Sequence, residues 1–368
     1  MSTPISPLTD HLADARATDY FFIREQLSDA QLLALRRVRA LVDDEVLPVI
    51  AGYWERAEMP WSLIRRIGEL GIVGEDIEGY GCPGLDPIAC GLVHMELNRG
   101  DGSLGTFLGV HAGLAMKSIA MLGSEEQKQD WLPRMARLEK LALDRKRQPG
   151  RRRRLGARRG RQGQRVPRGN EPDPPPRVQR RGDRGQGLAA RDLAGADRAR
   201  RRPRPGRESP PGRHLLQRHR PRACHHPRHL RWAALGHAVA AYDTALTYAM
   251  RREQFGKPLV SFQIVPDRLV KMLAEVTSMQ LYCLQIGRLA QRGQLTDTIA
   301  GLAKLNNTRK ARQICAEARD VLGGNGILLE NHVIRHMADI EAIHTYEGTE
   351  TMQTLIVGRD ITGVSAFT

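Results

Sequence analysis

The chain has 368 residues, 41% of them hydrophobic, and a formal net charge of +16. That length predicts two or three domains and that composition suffices for a sizeable core. No run approaches 18 uncharged apolar residues, so no membrane span is expected. Positions 1–14 carry neither a basic start nor an apolar run, so no signal peptide is expected. Cys82, Cys90, Cys224, Cys283 and Cys315 are scattered without CxxC spacing. That argues against a zinc site or a disulfide framework and fits a reducing cytoplasm.

In chain order, Ser28 or Asp29 can cap a first helix on which Leu32, Leu35, Val38, Leu41, Val42 and Val46 recur at helical spacing. Pro48 is expected to close it. A second helix is predicted over 61–70, with Leu63, Ile64 and Ile67 on one face, then a glycine-rich loop over 79–84. Further helices are predicted over 87–99 and 104–121. Ser124 with Gln127 forms a capping box that opens a fifth. No convincing strand is legible.

The basic excess then appears in one place. Positions 141–231 hold 29 Lys and Arg against 7 Asp and Glu, while the other 277 residues hold 28 against 34. All but Lys146 of those 29 are Arg. The window contains 12 of the 21 prolines and no Phe, Tyr, Trp, Ile, Met or Thr. Its apolar residues follow neither a strand nor a helix period, so by composition it is expected to be disordered. Three readings compete: a basic arm for nucleic acid, a linker, and translation of GC-rich DNA in the wrong frame. Arms for nucleic acid usually carry stacking aromatics, which are absent here. Composition favours the frame reading, because Arg, Pro, Gly and Ala have GC-rich codons. A shifted phase also allows Thr-Arg-Ala-Thr-Cys-Ala across 226–231.

After the window, a helix rich in small residues is predicted over 232–251, then a loop over 251–258. A helix with Pro266 in its first turn is predicted to run to 292, and another over 297–322. Gly323-Gly324-Asn325-Gly326 reads as a sharp loop with two or three positions able to take positive φ. A short helix, the turn Tyr346-Glu347-Gly348-Thr349 and a last helix to about 363 complete an expected antiparallel bundle.

Both flanks resemble the acyl-CoA dehydrogenases, flavoenzymes that desaturate acyl-CoA thioesters between the α and β carbons. The resemblance rests on Glu96-Leu97-Asn98-Arg99-Gly100-Asp101-Gly102-Ser103 and on Gly123-Ser124-Glu125-Glu126-Gln127 before the window. After it come Arg252-Glu253-Gln254-Phe255-Gly256-Lys257-Pro258 with Gln263, then Asp320-Val321-Leu322-Gly323-Gly324-Asn325-Gly326, then Tyr346-Glu347-Gly348-Thr349. Each motif alone is weak; the later three, in this order and at these separations, are specific. The resemblance covers about three quarters of the chain and is nearest the glutaryl-CoA dehydrogenase branch. It implies a mainly α fold: an N-terminal helical domain (1–140) and a C-terminal antiparallel helical bundle (232–368). The family's middle β-domain is absent, or replaced by the Arg/Pro-rich segment (141–231). Tetrameric assembly is implied as well.

Removing a weakly acidic α-proton needs a positioned base, while a flavin accepts hydride from the β carbon. From spacing alone Glu347 reads as a solvated turn glutamate; by resemblance it is the catalytic base. Arg252 resembles the arginine that meets the FAD pyrophosphate of a neighbouring subunit, as a guanidinium fork suits phosphate. Phe255, Gln263, Asp320, Gly323, Gly324, Thr349 and Phe367 are implied FAD contacts. Gly105, Thr106 and Gly348 are implied substrate contacts. His94, His111 and His344 read as core or surface histidines, and no metal is expected. Where glutaryl-CoA dehydrogenases carry an arginine for the distal carboxylate, this chain has Gly105, and 104–110 has no positive charge. A short or branched monocarboxylyl-CoA is therefore the expected substrate, and an electron-transfer flavoprotein or similar protein the expected acceptor. The rival reading is a helical protein with a basic arm for nucleic acid.

Overall fold

The structure is a computed structural model, and it describes residues 19–142 and 229–366. The expectations for the Arg/Pro-rich window and for Phe367 lie outside these residues, apart from the window's edges.

The N-terminal segment builds α1 (Asp29–Leu41), α2 (Leu47–Arg56), α3 (Trp61–Glu69), α4 (Pro87–Gly100), α5 (Gly102–Leu108), α6 (Lys117–Leu122) and α7 (Glu125–Ala136). Ser28, not Asp29, caps α1: its hydroxyl accepts from the Gln31 amide while the Gln31 side chain answers the Ser28 amide. Ser124 and Gln127 repeat that box on α7.

Pro48 does not end the first helix. A π-helical turn over Val42–Val46 joins α1 to α2, with the Leu47 amide reaching back to the Val42 carbonyl. Pro48 then falls in the opening turn of α2, where a missing N–H matters least. A second π-helical stretch, Gly109–Met116, joins α5 to α6. The resulting rod, Gly102–Leu122, is 21 residues long and matches a membrane span by length and composition only. Its apolarity has a local use, since Leu104, Leu108, Ala112 and Met116 are all buried in the protein core.

The C-terminal segment builds α8 (Leu230–Arg251), α9 (Ile264–Gln291), α10 (Asp297–Val321), α11 (Val333–Thr345) and α12 (Glu350–Thr362). Directions follow from side-chain contacts. Asn307 donates to the Arg231 carbonyl and Asn325 to the Tyr248 hydroxyl, so α8 and α10 run parallel. Cys283 lies beside Arg231 and Asn307, so α9 runs against both. Arg312 pairs with Glu341 and Thr308 meets His344, so α11 also opposes α10. The expected alternation stops there. Arg309 pairs with Glu350, and Gly301 lies under Gln353, so α12 continues toward the start of α10 instead of reversing.

Two places read as loops are tight hairpins. Glu78–Gly79 pairs with Cys82–Pro83 around Tyr80 and Gly81, and Glu253–Gln254 pairs with Lys257–Pro258 around Phe255 and Gly256. All four turn residues have positive φ, the signature of the two-residue turn that matches strand twist.

The segments share a core. One cluster is N-terminal, with Val38, Leu41, Ile64, Ile67, Leu97 and Leu104. The other joins Leu35, Ile88, Leu92 and Met95 of α1 and α4 to α8–α11. Each such aliphatic side chain contributes roughly 1.5–3 kcal/mol when fully buried. Helix α4 is buried over almost its whole surface. Glycines let α8 close on it: a Cβ at Gly91 would come within 2.2 Å of Trp232, and one at Gly236 within 2.2 Å of the Met95 carbonyl.

Candidate active site

The glutamate and aspartate of the first motif act structurally. Glu96, fully buried, receives Arg39 at 2.5 Å and Arg99 at 2.7 Å. Burial would raise its carboxyl, but the two guanidinium groups win and hold it at about 2. Asp101 caps α5 by accepting from the Ser103 amide. It also accepts from Trp54 Nε1 at 2.6 Å and from Arg335 Nη1 at 2.9 Å. The Gly102 amide donates to Asp339 on α11 at 3.0 Å, and a Cβ at Gly102 would collide with that carboxyl. Helix α5 is thereby tied to α11, whose end leads directly into Tyr346 and Glu347.

That docking makes a small cavity of about 20 Å3, lined by Thr106, Val110, Leu114, Tyr346 and Glu347 among others. Thr106 Oγ1 lies 3.5 Å from the Tyr346 hydroxyl. Glu347 is exposed and adopts φ +54°, and Gly348 follows at φ +91°. A non-glycine residue in this region is uncommon and holds only where its surroundings impose it. Thr349 caps α12, its hydroxyl accepting from the Met352 amide. Gly105 is buried against Asn98, whose amide a Cβ there would strike at 2.0 Å. It is not among the residues that line this cavity.

Sequence reasoning passed over Lys304 and Gln353. Lys304 is 5% exposed, and its ammonium donates to the carbonyls of Tyr346 and Gly348, each at 2.5 Å. Burial lowers that ammonium to about 8, with Glu347 pulling the other way. The signal was available: Lys304 falls on the stripe of Ala300, Ala303, Asn307 and Ala311 that α10 buries.

The remaining candidates gather elsewhere. Arg252 ends α8, Gln263 precedes α9, and Asp320, Gly323 and Gly324 end α10, so all five share one end of the bundle. Arg252, Gln263 and the two glycines are exposed. Phe255, at 92% exposure, stands at the tip of the neighbouring hairpin. Asp320 pairs with Arg268 and Arg319. Of the glycine loop Gly323 alone has positive φ, at +58°, fewer positions than the two or three expected. The others are satisfied by a 3-10 turn over Gly323–Ile327. Cβ atoms at Gly323 and Gly324 would meet nothing within 4 Å. Exposed glycine backbone and the Arg252 guanidinium at the same end of the bundle suit a pyrophosphate. The residues present therefore fit the phosphate portion of FAD. About 17 residues of α10 separate Lys304 from Val321, roughly 25 Å of helix. One chain thus keeps the Glu347 set and the phosphate-type set apart.

Comparison with known proteins decides the family. Residues 28–139 match the acyl-CoA dehydrogenase N-terminal domain and residues 223–362 match the acyl-CoA dehydrogenase C-terminal domain.

The chain belongs to the acyl-CoA dehydrogenase family.

These are oxidoreductases acting on acyl-CoA. Among relatives, the human mitochondrial short-chain specific acyl-CoA dehydrogenase is 24% identical over 90% of each chain. The crystal structure of a glutaryl-CoA dehydrogenase from Mycobacterium smegmatis in complex with FADH2 is 26% identical with a TM-score of 0.72, covering 97% of this chain and 100% of that one. Butyryl-CoA dehydrogenase from Megasphaera elsdenii, at 20% identity and a TM-score of 0.65, covers 91% of this chain and 98% of its own and shares the fold. The acyl-CoA dehydrogenase motifs thus divide into three kinds: those that build the helices, those at the Glu347 cavity, and those at the far end of the bundle.

Proposed function

We propose that this acyl-CoA dehydrogenase desaturates a short or branched monocarboxylyl-CoA, with Glu347 as the base that takes the α-proton. The observation that carries the reading is Glu347 itself, a carboxylate held at positive φ on the wall of a cavity that Thr106, Gly109, Val110, Leu114, His229 and Tyr346 also line. A carboxylate suits this step because it can accept the α-proton directly when held within hydrogen-bond reach of it. Gly348, at φ +91°, lets the chain turn directly after the base. Leu114 and Val110 exclude water from the chain of the substrate. The lack of Lys or Arg among the described residues of the cavity wall supports an acyl group without a distal carboxylate.

FAD, when bound, would accept hydride from the β carbon. Arg252, Gln263, Gly323 and Gly324 would hold its phosphates, with Phe255 and Asp320 close by. Because that set lies roughly 25 Å along α10 from Lys304, beside Glu347, each complete site would draw on two copies, which supports a homo-oligomer; the tetramer is what the family resemblance implies. An electron-transfer flavoprotein or similar protein would reoxidise the enzyme, and a reducing cytoplasm remains the proposed location. The test is α-hydrogen exchange of butyryl-CoA in D2O, followed by anaerobic flavin bleaching. Exchange that is lost in Glu347→Gln is the expected result; exchange at the parent rate in that variant would remove Glu347 from the role.

A further inference from the structure

The backbone around Glu347 is held from below. Glu347 and Gly348 occupy consecutive left-handed conformations, at φ +54° and +91°. Such a pair persists only when neighbouring groups over-determine it. Two buried side chains take up every carbonyl of the stretch. Lys304 donates to Tyr346 O and Gly348 O, the positions on either side of Glu347. The Gln353 amide donates to Glu347 O at 3.1 Å and to Gly348 O at 3.4 Å. Gln353 is 1% exposed, and a Cβ at Gly348 would come within 2.6 Å of its Nε2. Among the described residues no acidic group forms an ion pair with Lys304, and its ammonium donates to the loop carbonyls.

We propose that Lys304 is a positioning residue for the base: by bridging the two carbonyls that bracket Glu347, it fixes where the carboxylate points and keeps a positive charge beneath it. This rests on the role proposed for Glu347. The bonds are charge-assisted, and such bonds are roughly twice as strong as neutral ones. A neutral amine would still offer N–H groups but would lose that strengthening and the attraction to the carboxylate. Burial brings the loss of charge to about pH 8. The titratable groups that feel Lys304 are Glu347 on the loop, His344 at the end of α11 and, through His344, Glu350 at the start of α12.

The experiment uses the full chain with Lys304→Met, which keeps length and removes every donor, and Lys304→Gln, which keeps a donor without charge. The first readout is backbone amide hydrogen exchange by mass spectrometry, which needs neither flavin nor substrate. Peptides spanning 345–353 should exchange faster by about 10-fold in Lys304→Met, and less in Lys304→Gln, with α8 and α9 unchanged. The second is α-hydrogen exchange of butyryl-CoA in D2O. Lys304→Met should lower its rate about 10- to 100-fold at saturating butyryl-CoA, since misplacement by about 1 Å has effects of that size. The half-saturating concentration should stay within about 2-fold, and the parent's decline above about pH 8 should disappear. Unchanged protection of 345–353 in both variants would overturn the proposal, as would a parent-like rate and pH profile. If Lys304→Met does not fold, Lys304→Gln decides by the same two readouts. A parallel Glu347→Gln separates the claims: α-exchange retained there removes the base assignment, whereas the loop's protection tests Lys304 alone.

Discussion

Arg335 donates to Asp101 at 2.9 Å, and both side chains are completely buried. This pair joins α11 to the start of α5 across 234 positions of sequence. Arg335 also donates to the Gly100 carbonyl and meets His332 Nδ1 at 2.7 Å. The pair therefore sets the distance between Thr106 and Glu347, the two walls of the cavity. Breaking one partner of a buried pair leaves an uncompensated charge. Arg335→Met should destabilise the fold by about 3–5 kcal/mol in urea unfolding. A change below about 1 kcal/mol would show that water reaches Asp101.

Glu347→Gln in a flavin-bearing preparation should retain flavin but lose about three orders of magnitude or more in anaerobic bleaching by butyryl-CoA. That is the upper part of the general-base range with lost positioning added. Gln keeps the shape and removes the proton acceptor. Bleaching within 10-fold of the parent would contradict the assignment.

Arg252→Ala should weaken flavin retention. A hydrogen bond to a charged group contributes about 1.5–3 kcal/mol, which corresponds to roughly 10-fold or more in affinity. The measurement is the flavin-to-protein ratio after gel filtration, with Arg251→Ala as a neighbour that should leave it unchanged.

Acid sensitivity should trace to Glu96. Its folded value, about 2, lies below the ordinary 4.5, so its stabilising contribution is complete above about pH 4.5 and is lost as pH falls toward 2. The Tm should drop as pH falls from about 4.5 toward 2. Glu96→Gln should lower Tm at pH 7 and flatten that drop. An equal slope in both proteins would place the acid-sensitive group elsewhere.

Gly91→Ala should separate α4 from α8. The added carbon would lie 2.2 Å from Trp232, and overpacking of this kind costs roughly 1–3 kcal/mol. Calorimetry gives the change directly.

The coding DNA offers an independent check on positions 141–231. An alternative frame should yield alternating apolar and polar strands with Gly and Asp turns. Arg/Pro-rich translations in every frame would refute the frame reading.

Local rules were enough for much of this protein. The caps at Ser28 and Ser124, the apolar stripe of α3 and the small-residue face of α8 are encoded within a few residues of where they act. The turn at 346–349 was also legible, though only the family resemblance singles out Glu347 within it. Tertiary structure decided the rest, because it depends on partners far away in the chain. Pro48 looks like a stop until a π-helical turn absorbs its missing N–H. Asp101 and Asp339 find their partners only where α5 and α11 meet. Phe255 reads as part of a loop, yet hairpin pairing forces it to positive φ at the tip. The buried stripe of α10 marks Lys304 as an inward residue, but its acceptors, the carbonyls of Tyr346 and Gly348, lie 42 and 44 positions away and are not legible locally. A side chain's charge and size are local properties, but its hydrogen-bond acceptors are supplied by whatever the fold brings within 3 Å.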